Sequence, residues 1–216
     1  MALVKRAAPT LDATPDAATT PRNRRGGARD VEGLLLQLQQ PNSDARRWAA
    51  LDLAGEPAAV SALAAQLACE RSRPARDAIV TALVETGGEA VASALAAHLR
   101  SDDAAVRNAA VGALALVPAT ADLVPGLLDD DDPDVRVLCV MVLASLRDPR
   151  VPGWLLGVIE HDEDANVCGC AVDVLAEVGE ADTRDALAAL PGRFPDDPFL
   201  PVAVRATLDR LGRATT

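Results

Sequence analysis

A short pattern recurs along this chain about every thirty residues. Each copy has a small aliphatic residue, then Arg in the first four copies, then an apolar, Ala-rich stretch that reaches Leu eight positions after the aliphatic residue. The second positions of the copies are residues 46, 76, 107, 136, 168 and 201, so successive intervals are 30, 31, 29, 32 and 33 residues. A period in this range is typical of stacked repeat architectures. The pattern therefore predicts a solenoid rather than a single globular core.

The composition favours helices in these repeats. Half of the residues are hydrophobic, but only 2% are aromatic. Closely packed helices suit a core of Ala, Val and Leu, whereas a sheet favours β-branched and aromatic residues in alternation. Acidic residues precede most copies of the pattern, as expected at the start of a helix. We expect each repeat to form two antiparallel helices, with the recurring pattern on the second.

Three segments are predicted along the chain. Residues 1–29 are rich in Ala, Thr, Pro, Arg and Gly and have no apolar period, which is typical of a disordered segment. Residues 30–212 form the solenoid, and residues 213–216 form a short tail. The basic N-terminal arm is either a passive leader or a contact for acidic groups, on a partner or on the body of the chain itself.

The charge distribution argues against nucleic acid as a partner. The net charge is −11, and residues 1–30 hold six basic and three acidic side chains, which leaves 15 basic and 29 acidic residues in the remainder. Nucleic-acid affinity comes largely from Lys and Arg that replace counterions on phosphates. No segment approaches the ~20 consecutive apolar residues that span a bilayer. We expect a cytoplasmic protein that does not associate with membranes.

Repeats three and four carry a family resemblance. Residues 101–114 read SDDAAVRNAAVGAL, and residues 130–143 read DDDPDVRVLCVMVL. Both resemble the pattern D-x-x-V-R-x-x-A-x-x-A-L of the HEAT-repeat superfamily, and more narrowly the short HEAT-like repeats named after phycobilisome lyases. The resemblance covers about residues 31–212 and implies an all-α, right-handed solenoid of about six helix pairs.

The resemblance also implies a role for the recurring Arg. In that family, acidic turn residues and the Arg form a ladder of contacts between successive repeats. Asp103 with Arg107 and Asp132 with Arg136 would be its members in this chain. These arginines are therefore expected to be architectural rather than ligand-binding.

The fifth copy departs from the pattern, because Cys168 replaces the Arg. With Cys170 it forms a Cys-Gly-Cys sequence, and thiolates are good ligands for zinc and iron–sulfur clusters. In a regular helix, however, the two sulfurs point about 200° apart around the axis, so they can share an ion only if Gly169 loosens the helix. Cys168 marks either a functional site or a repeat that has drifted from the pattern.

Helical geometry sorts each second helix into two sides. With the aliphatic residue at position 0, positions 0, 3, 4, 7 and 8 form a core side, whereas positions 2, 5, 6 and 9 point toward the concave surface of a HEAT-like solenoid. That second set is largely apolar in the middle repeats, which predicts a shallow groove for an apolar or amphipathic segment of another protein, one that could carry basic residues. Alternatively, tight curvature leaves room only for small apolar residues there. The predicted groove residues are Arg47, Asp77, Val80, Asn108, Val111, Val137, Val140, Met141, Val172 and Asp173.

The leading functional hypothesis is a non-catalytic protein-interaction module, such as an adaptor, scaffold or assembly factor. Deoxyhypusine hydroxylases resemble this fold and bind two irons through His-Glu dipeptides, but here Leu99 follows His98 and Asp162 follows His161. We therefore expect no metal and no cofactor. The alternative is a lyase or chaperone-lyase that handles a tetrapyrrole or another prosthetic group, with Cys168 and His161 as the nearest candidates for a reactive or ligating residue.

Overall fold

The computed structural model describes residues 30–179 and 183–214. Within these ranges the chain forms α-helices, short 3-10 segments and turns, and it has no strand. The α-helices are Val31–Leu38 (α1), Ser43–Asp52 (α2), Val60–Cys69 (α3), Arg73–Thr86 (α4), Gly88–Ala97 (α5), Ala104–Leu114 (α6), Val124–Leu128 (α7), Pro133–Leu143 (α8), Val151–His161 (α9), Ala165–Val178 (α10), Arg184–Arg193 (α11) and Leu200–Ala214 (α12). The predicted basic arm, residues 1–29, lies outside the described residues. Helix α12 continues two residues past the predicted end of the solenoid at residue 212.

The helices stack as six antiparallel pairs. The second helices α2, α4, α6, α8, α10 and α12 each pack against the next, and α1, α3 and α5 do the same in the layer of first helices. One apolar core runs through all six pairs, as expected when each repeat buries its surface against its neighbours. The predicted all-α solenoid is confirmed.

Capping side chains fix the start of most second helices. Asn42, Asp103, Asp132 and Asp164 precede α2, α6, α8 and α10, and the side-chain oxygen of each accepts a hydrogen bond from a backbone N–H of the first turn. These bonds satisfy N–H groups that have no partner within the helix. Because the recurring Arg follows such a cap by four residues, the cap also places the Arg side chain beside the preceding turn.

The first-helix layer is interrupted at the fourth pair. Helix α7 has only five residues and follows a 3-10 segment, Pro118–Asp122. Pro125 and Gly126 lie within α7, and both residue types are poor helix formers. Helices α7 and α9 are barely in contact, whereas α9 packs against α11. An opening therefore remains between the first helices of pairs four and five.

Candidate functional site

The recurring Arg residues join successive pairs. Arg46 donates to both carboxylate oxygens of Glu70, with N–O distances of 2.7 and 2.8 Å. Arg136 makes the same two bonds to Asp162, at 2.8 and 3.1 Å. Each acid lies in the turn of the following pair, 24 or 26 residues further along the chain. This bidentate geometry is the strong form of a charge-assisted hydrogen bond, so we call each such contact a rung.

The same guanidinium groups also bind the turn of their own pair. Arg46, Arg76, Arg107 and Arg136 each donate to the backbone carbonyl six residues earlier, with N–O distances of 2.7, 2.6, 2.6 and 2.8 Å. The accepting carbonyls lie where the first helix of each pair has ended, and such groups need partners from outside the helix. All four arginines therefore have structural contacts.

The acidic partners differ from those that the family resemblance implies. The Asp103 and Asp132 side chains cap their own helices, at 2.7 Å from the Ala105 nitrogen and 2.9 Å from the Asp134 nitrogen. Arg107 donates to the Ser101 carbonyl instead, and Arg136 forms its ion pair with Asp162. The expected pairs Asp103–Arg107 and Asp132–Arg136 are thus corrected: the aspartates define the helix starts, and the acid of a rung comes from the next turn.

The rung from the second to the third pair is incomplete. Ser101 occupies the position in its turn that Glu70 and Asp162 occupy in theirs, six residues before the second position of the pattern. Its hydroxyl accepts a hydrogen bond from the Asp103 nitrogen at 3.2 Å. Among the described residues, the Nε atom of Arg76 is buried without a hydrogen-bond partner. A serine is too short to take the place of the missing carboxylate.

At Cys168, a different arginine takes over the contact with the turn. Arg193, the last residue of α11, donates to the Asp162 carbonyl at 2.7 Å and to the Ile159 carbonyl at 2.5 Å. Asp162 stands six residues before Cys168, so its carbonyl is the one that an Arg at position 168 would bind. Nη1 of Arg193 also lies 4.0 Å from the Cys168 sulfur. The sixth pair thus supplies the contact that the fifth copy lacks.

Burial makes Cys168 a poor nucleophile. Its thiol is fully buried and donates to the Asp162 carbonyl at 3.4 Å. Desolvation raises the pKa of Cys168 to about 11, and burial also raises the pKa of Cys170. The thiolate is the form that attacks or ligates, and little of it exists at neutral pH with such a pKa. Within the described residues, no group of three or more His, Cys, Asp or Glu could hold a metal ion.

Two predicted groove residues, Val140 and Val172, have no exposed surface. Both occupy position 5 of their helices, and α8 packs against α10 as α10 packs against α12. Arg205 occupies the same position in α12 and is exposed, because no described helix follows. Position 5 therefore faces the next second helix. The prediction that Val140 and Val172 form the centre of an open groove is corrected: they are core residues between neighbouring helices.

The other predicted groove residues keep exposed surface. They lie in rows on successive second helices, and all are exposed or half-buried. They are Arg47, Asp77, Val80, Asn108, Val111, Val137, Met141 and Asp173. Met141 is exposed, at 43%, and the three valines are less exposed, since each is half-buried. We call the surface that these residues form the second-helix face.

Three more exposed apolar residues lie on or beside the second helices, and the sequence prediction missed them. Leu116, Phe199 and Val202 are 64%, 79% and 69% exposed. Val202 at position 2 and Met141 at position 6 point about 40° apart around a helix. Leu116 follows the end of α6, and Phe199 precedes the first residue of α12. A positional count continued into the sixth copy would have found Val202, whereas Leu116 and Phe199 lie outside the helices that the count covers.

A cavity of about 410 Å³ opens on the second-helix face between α2 and α4. Leu51, Pro74 and Ala78 provide its apolar lining, and Arg47 and Arg73 bring two guanidinium groups to it. The Arg47 guanidinium lies over the Trp48 ring, 5.0 Å from its centroid. Arg73 has one acidic neighbour, Asp77 at 3.9 Å, and both side chains are mostly exposed. Both cations therefore remain available to a ligand.

A second cavity, of about 700 Å³, fills the opening between α7 and α9. Its lining combines the Trp154 ring and the exposed His161 with five carboxylates and one cation, Arg136. His161 is held through Nδ1, which lies 3.0 Å from the Gly157 carbonyl. The five carboxylates belong to Asp129, Asp130, Asp131, Asp162 and Glu163. So many acids in one cavity oppose the binding of an anionic group.

A family model of HEAT repeats matches residues 31–115 and 120–206. The chain belongs to the HEAT-repeat family. A curated relative, the uncharacterized phycocyanin operon protein Z of Pseudanabaena tenuis (strain PCC 7409), is 27% identical over 193 residues, which cover 84% of this chain and 95% of the relative. The solved complex of CpcE and CpcF of phycocyanin lyase from Nostoc sp. PCC7120 includes a chain that aligns with a TM-score of 0.36 and 20% identity, over 94% of this chain and 100% of that one.

These matches agree with the resemblance found in repeats three and four. The expected likeness to HEAT-like repeats of the phycobilisome-lyase type is confirmed. In the part of this HEAT-repeat chain that the structure describes, no helix is long and apolar enough to cross a membrane. An Arg at the second position binds the turn of its own pair in the first four copies, and Arg46 and Arg136 bind the next turn as well.

Proposed function

We propose that this HEAT-repeat protein is a non-catalytic interaction module that binds a segment of another protein on its second-helix face. One observation carries the proposal: four large apolar side chains, Leu116, Met141, Phe199 and Val202, are exposed on or directly beside the second helices. Among the large exposed apolar residues of the described chain, only Leu36 lies elsewhere, in α1. Exposed apolar surface of this kind is typical of a docking site, and apolar residues on successive helices suit an amphipathic helix or an extended segment.

The experiment places Asp at exposed apolar residues, two on the second-helix face and one outside it. A partner captured by the wild-type chain is purified and titrated against Met141→Asp, Val202→Asp and the control Leu36→Asp. Because a carboxylate on the docking surface loses apolar contact and its own hydration, we expect the first two variants to weaken binding about tenfold or more. The control should bind like wild type. Equal affinity for all three variants would rule out the second-helix face as the binding surface.

Stability must be measured on the same proteins. Met141→Asp changes an exposed residue, so its melting temperature should stay near that of wild type. Val140→Asp, one position away, places a carboxylate in the core and should unfold the protein. This adjacent pair separates loss of binding from loss of folding.

The second candidate is a lyase or chaperone-lyase that handles a tetrapyrrole or another prosthetic group. The phycocyanin operon relative favours it, because the similarity extends over most of both chains. The chemistry of the predicted residues is less favourable. Cys168 is buried with a raised pKa, and the cavity beside His161 carries carboxylates that would repel the propionates of a tetrapyrrole.

An absorption spectrum tests this candidate directly. The protein is purified from its own cell and scanned through the visible region, where tetrapyrroles absorb strongly. A stoichiometric chromophore would support the second candidate, and its loss in His161→Ala but not in Cys69→Ala would locate the site. A colourless protein that copurifies with a defined protein partner would support the interaction module.

A further inference from the structure

Resting on the proposed function, we infer that the second-helix face binds its partner segment in one direction. Acidic side chains of the segment lie over pairs one and two, and its large apolar side chains lie over pairs four to six. The occupant is therefore an amphipathic protein segment with carboxylates at one end. The argument comes from how charge and exposed apolar surface are distributed along the face.

The first end of the face carries two cations, Arg47 and Arg73, and one acid, Asp77. Arg47 and Arg73 flank the cavity of about 410 Å³ between α2 and α4. Within the described residues, Arg47 has a ring contact with Trp48 but no ion pair, and Arg73 has only the exposed pair with Asp77 at 3.9 Å. Guanidinium groups bind carboxylates bidentately. Two such groups around one apolar-lined cavity suit a Glu or Asp side chain.

The middle of the face is neutral, and the far end carries the large exposed apolar side chains together with two acids and one cation. Asn108 and Gly112 are exposed on this side of α6. Val137 and Met141 follow on α8, and Phe199 and Val202 lie beside and on α12. Asp173 on α10 and Asp209 on α12 are acids at this end, and Arg205 on α12 is a cation. The net charge of −11 alone would favour a basic partner throughout, but the arginines reverse that preference at pairs one and two.

The spacing of the helices sets the length of the segment. Neighbouring packed helices lie about 8–10 Å apart, so the cavity between α2 and α4 and the Met141 side chain on α8 are separated by roughly 20–25 Å. A helical segment spans that distance in about 15 residues, and an extended one in about 7. The acidic and apolar groups of the segment should show one of these two separations.

A selection from random peptides tests the inference without a known partner. A displayed library of peptides of about 20 residues, long enough as a helix to reach from the cavity between α2 and α4 to Met141, is selected against the full chain. Synthetic versions of the recovered peptides are titrated against wild type, Arg73→Glu, Arg71→Glu and Met141→Asp. Arg71 is an exposed neighbour outside the cavity, so its variant has the same net charge as Arg73→Glu.

The expected peptides carry Asp or Glu at one end and large apolar residues at the other. Arg73→Glu should weaken their binding about tenfold, as charge reversal beside a carboxylate does, while Arg71→Glu changes it less than twofold. Peptides that need Met141 but show no acidic end, and that bind Arg73→Glu and Arg71→Glu equally, overturn the direction and leave the proposed function standing. Failure to recover any Met141-dependent peptide overturns both.

Discussion

Two successive rungs of this solenoid differ by a single residue. Between pairs one and two, the Arg46 guanidinium meets the carboxylate of Glu70 in bidentate fashion. Between pairs two and three, Ser101 stands in the place of that acid, and Nε of Arg76 is left without a partner. Both arginines still bind the carbonyl six residues earlier. All four recurring arginines keep the contact within their own pair, whereas the contact between pairs is optional.

The difference separates two roles of the recurring Arg. Its bond to the carbonyl organises the turn, and its bond to an acid joins neighbouring repeats. The fifth copy makes the same distinction, because Arg193 restores the turn contact although Cys168 offers no guanidinium. Four substitutions or conditions can break or complete individual contacts of these two kinds.

The largest effect is expected from Glu70→Gln. The side chain of Glu70 is fully buried and that of Arg46 is 15% exposed, so the variant leaves a poorly solvated cation without its counter-charge. We expect a loss of about 3 kcal/mol in the free energy of unfolding, measured by urea denaturation. Glu85→Gln, on an exposed site of α4, should cost less than about 0.5 kcal/mol. Equal stability of the two variants would show that the rung contributes nothing.

Acid should break the same rung without a mutation. Hydrogen bonds from Arg46 lower the pKa of Glu70 from 4.5 to about 2. Because the pKa is lower in the folded state, the stabilisation is fully present above pH 4.5 and disappears as the pH falls toward 2. We expect Glu70 to account for roughly 2–3 kcal/mol of the stability lost over this range. In Glu70→Gln, the stability curve should be flatter by that amount between these two pH values.

Arg193→Gln should have an intermediate effect. It removes the donors to the Asp162 and Ile159 carbonyls and should lower the free energy of unfolding by about 1–2 kcal/mol. Arg205→Gln, on the exposed side of α12, is the matched control. Adding Cys168→Arg to Arg193→Gln should recover part of the lost stability, because the new Arg occupies the second position of the pattern, where the first four copies carry Arg. No recovery in the double variant would contradict the idea that Arg193 substitutes for the missing Arg.

The smallest effect is a gain, from Ser101→Asp. A carboxylate at this position can accept from Arg76 and still accept from the Asp103 nitrogen, as Asp162 accepts from both Arg136 and the Asp164 nitrogen. We expect an increase of about 1 kcal/mol in the free energy of unfolding. Ser101→Asn, which keeps the backbone contact without the charge, should change stability by less than half as much. If Ser101→Asp no longer raises the free energy of unfolding in an Arg76→Gln background, the increase comes from the rung between these two residues.

The repeat period and the side-chain pattern predicted most of the fold. The regular spacing of the recurring Arg gave the stack of helix pairs, and apolar positions 0, 4 and 7 correctly marked core residues such as Val135, Cys139 and Val142. Position 5 was misassigned because angle alone does not show that a neighbouring helix covers that side. The neighbouring helix covers that side because the repeats stack. Stacking is a tertiary effect, and angles counted around a single helix do not show it.

Contacts across long sequence separations were the hardest to predict. Arg193 lies 31 residues from Asp162 and 25 from Cys168, and no local sequence pattern predicts its contacts with them. The cavity between α7 and α9 has a local cause, the Pro and Gly that shorten α7, but the carboxylates around it come from two separate turns. Met141 was predicted, and Val202 follows from the same count in the sixth copy, whereas Leu116 and Phe199 lie outside the helices that the count covers.

The opening between α7 and α9 has a consequence for how the array unfolds. In a linear array, each interface between neighbours carries its own share of the cooperativity. At the interface of pairs four and five, the first helices are barely packed against each other. The α8–α10 contact and the Arg136–Asp162 ion pair must therefore provide the cooperativity between these two pairs. We therefore expect the array to divide first at this interface, with pairs five and six opening while pairs one to four remain folded.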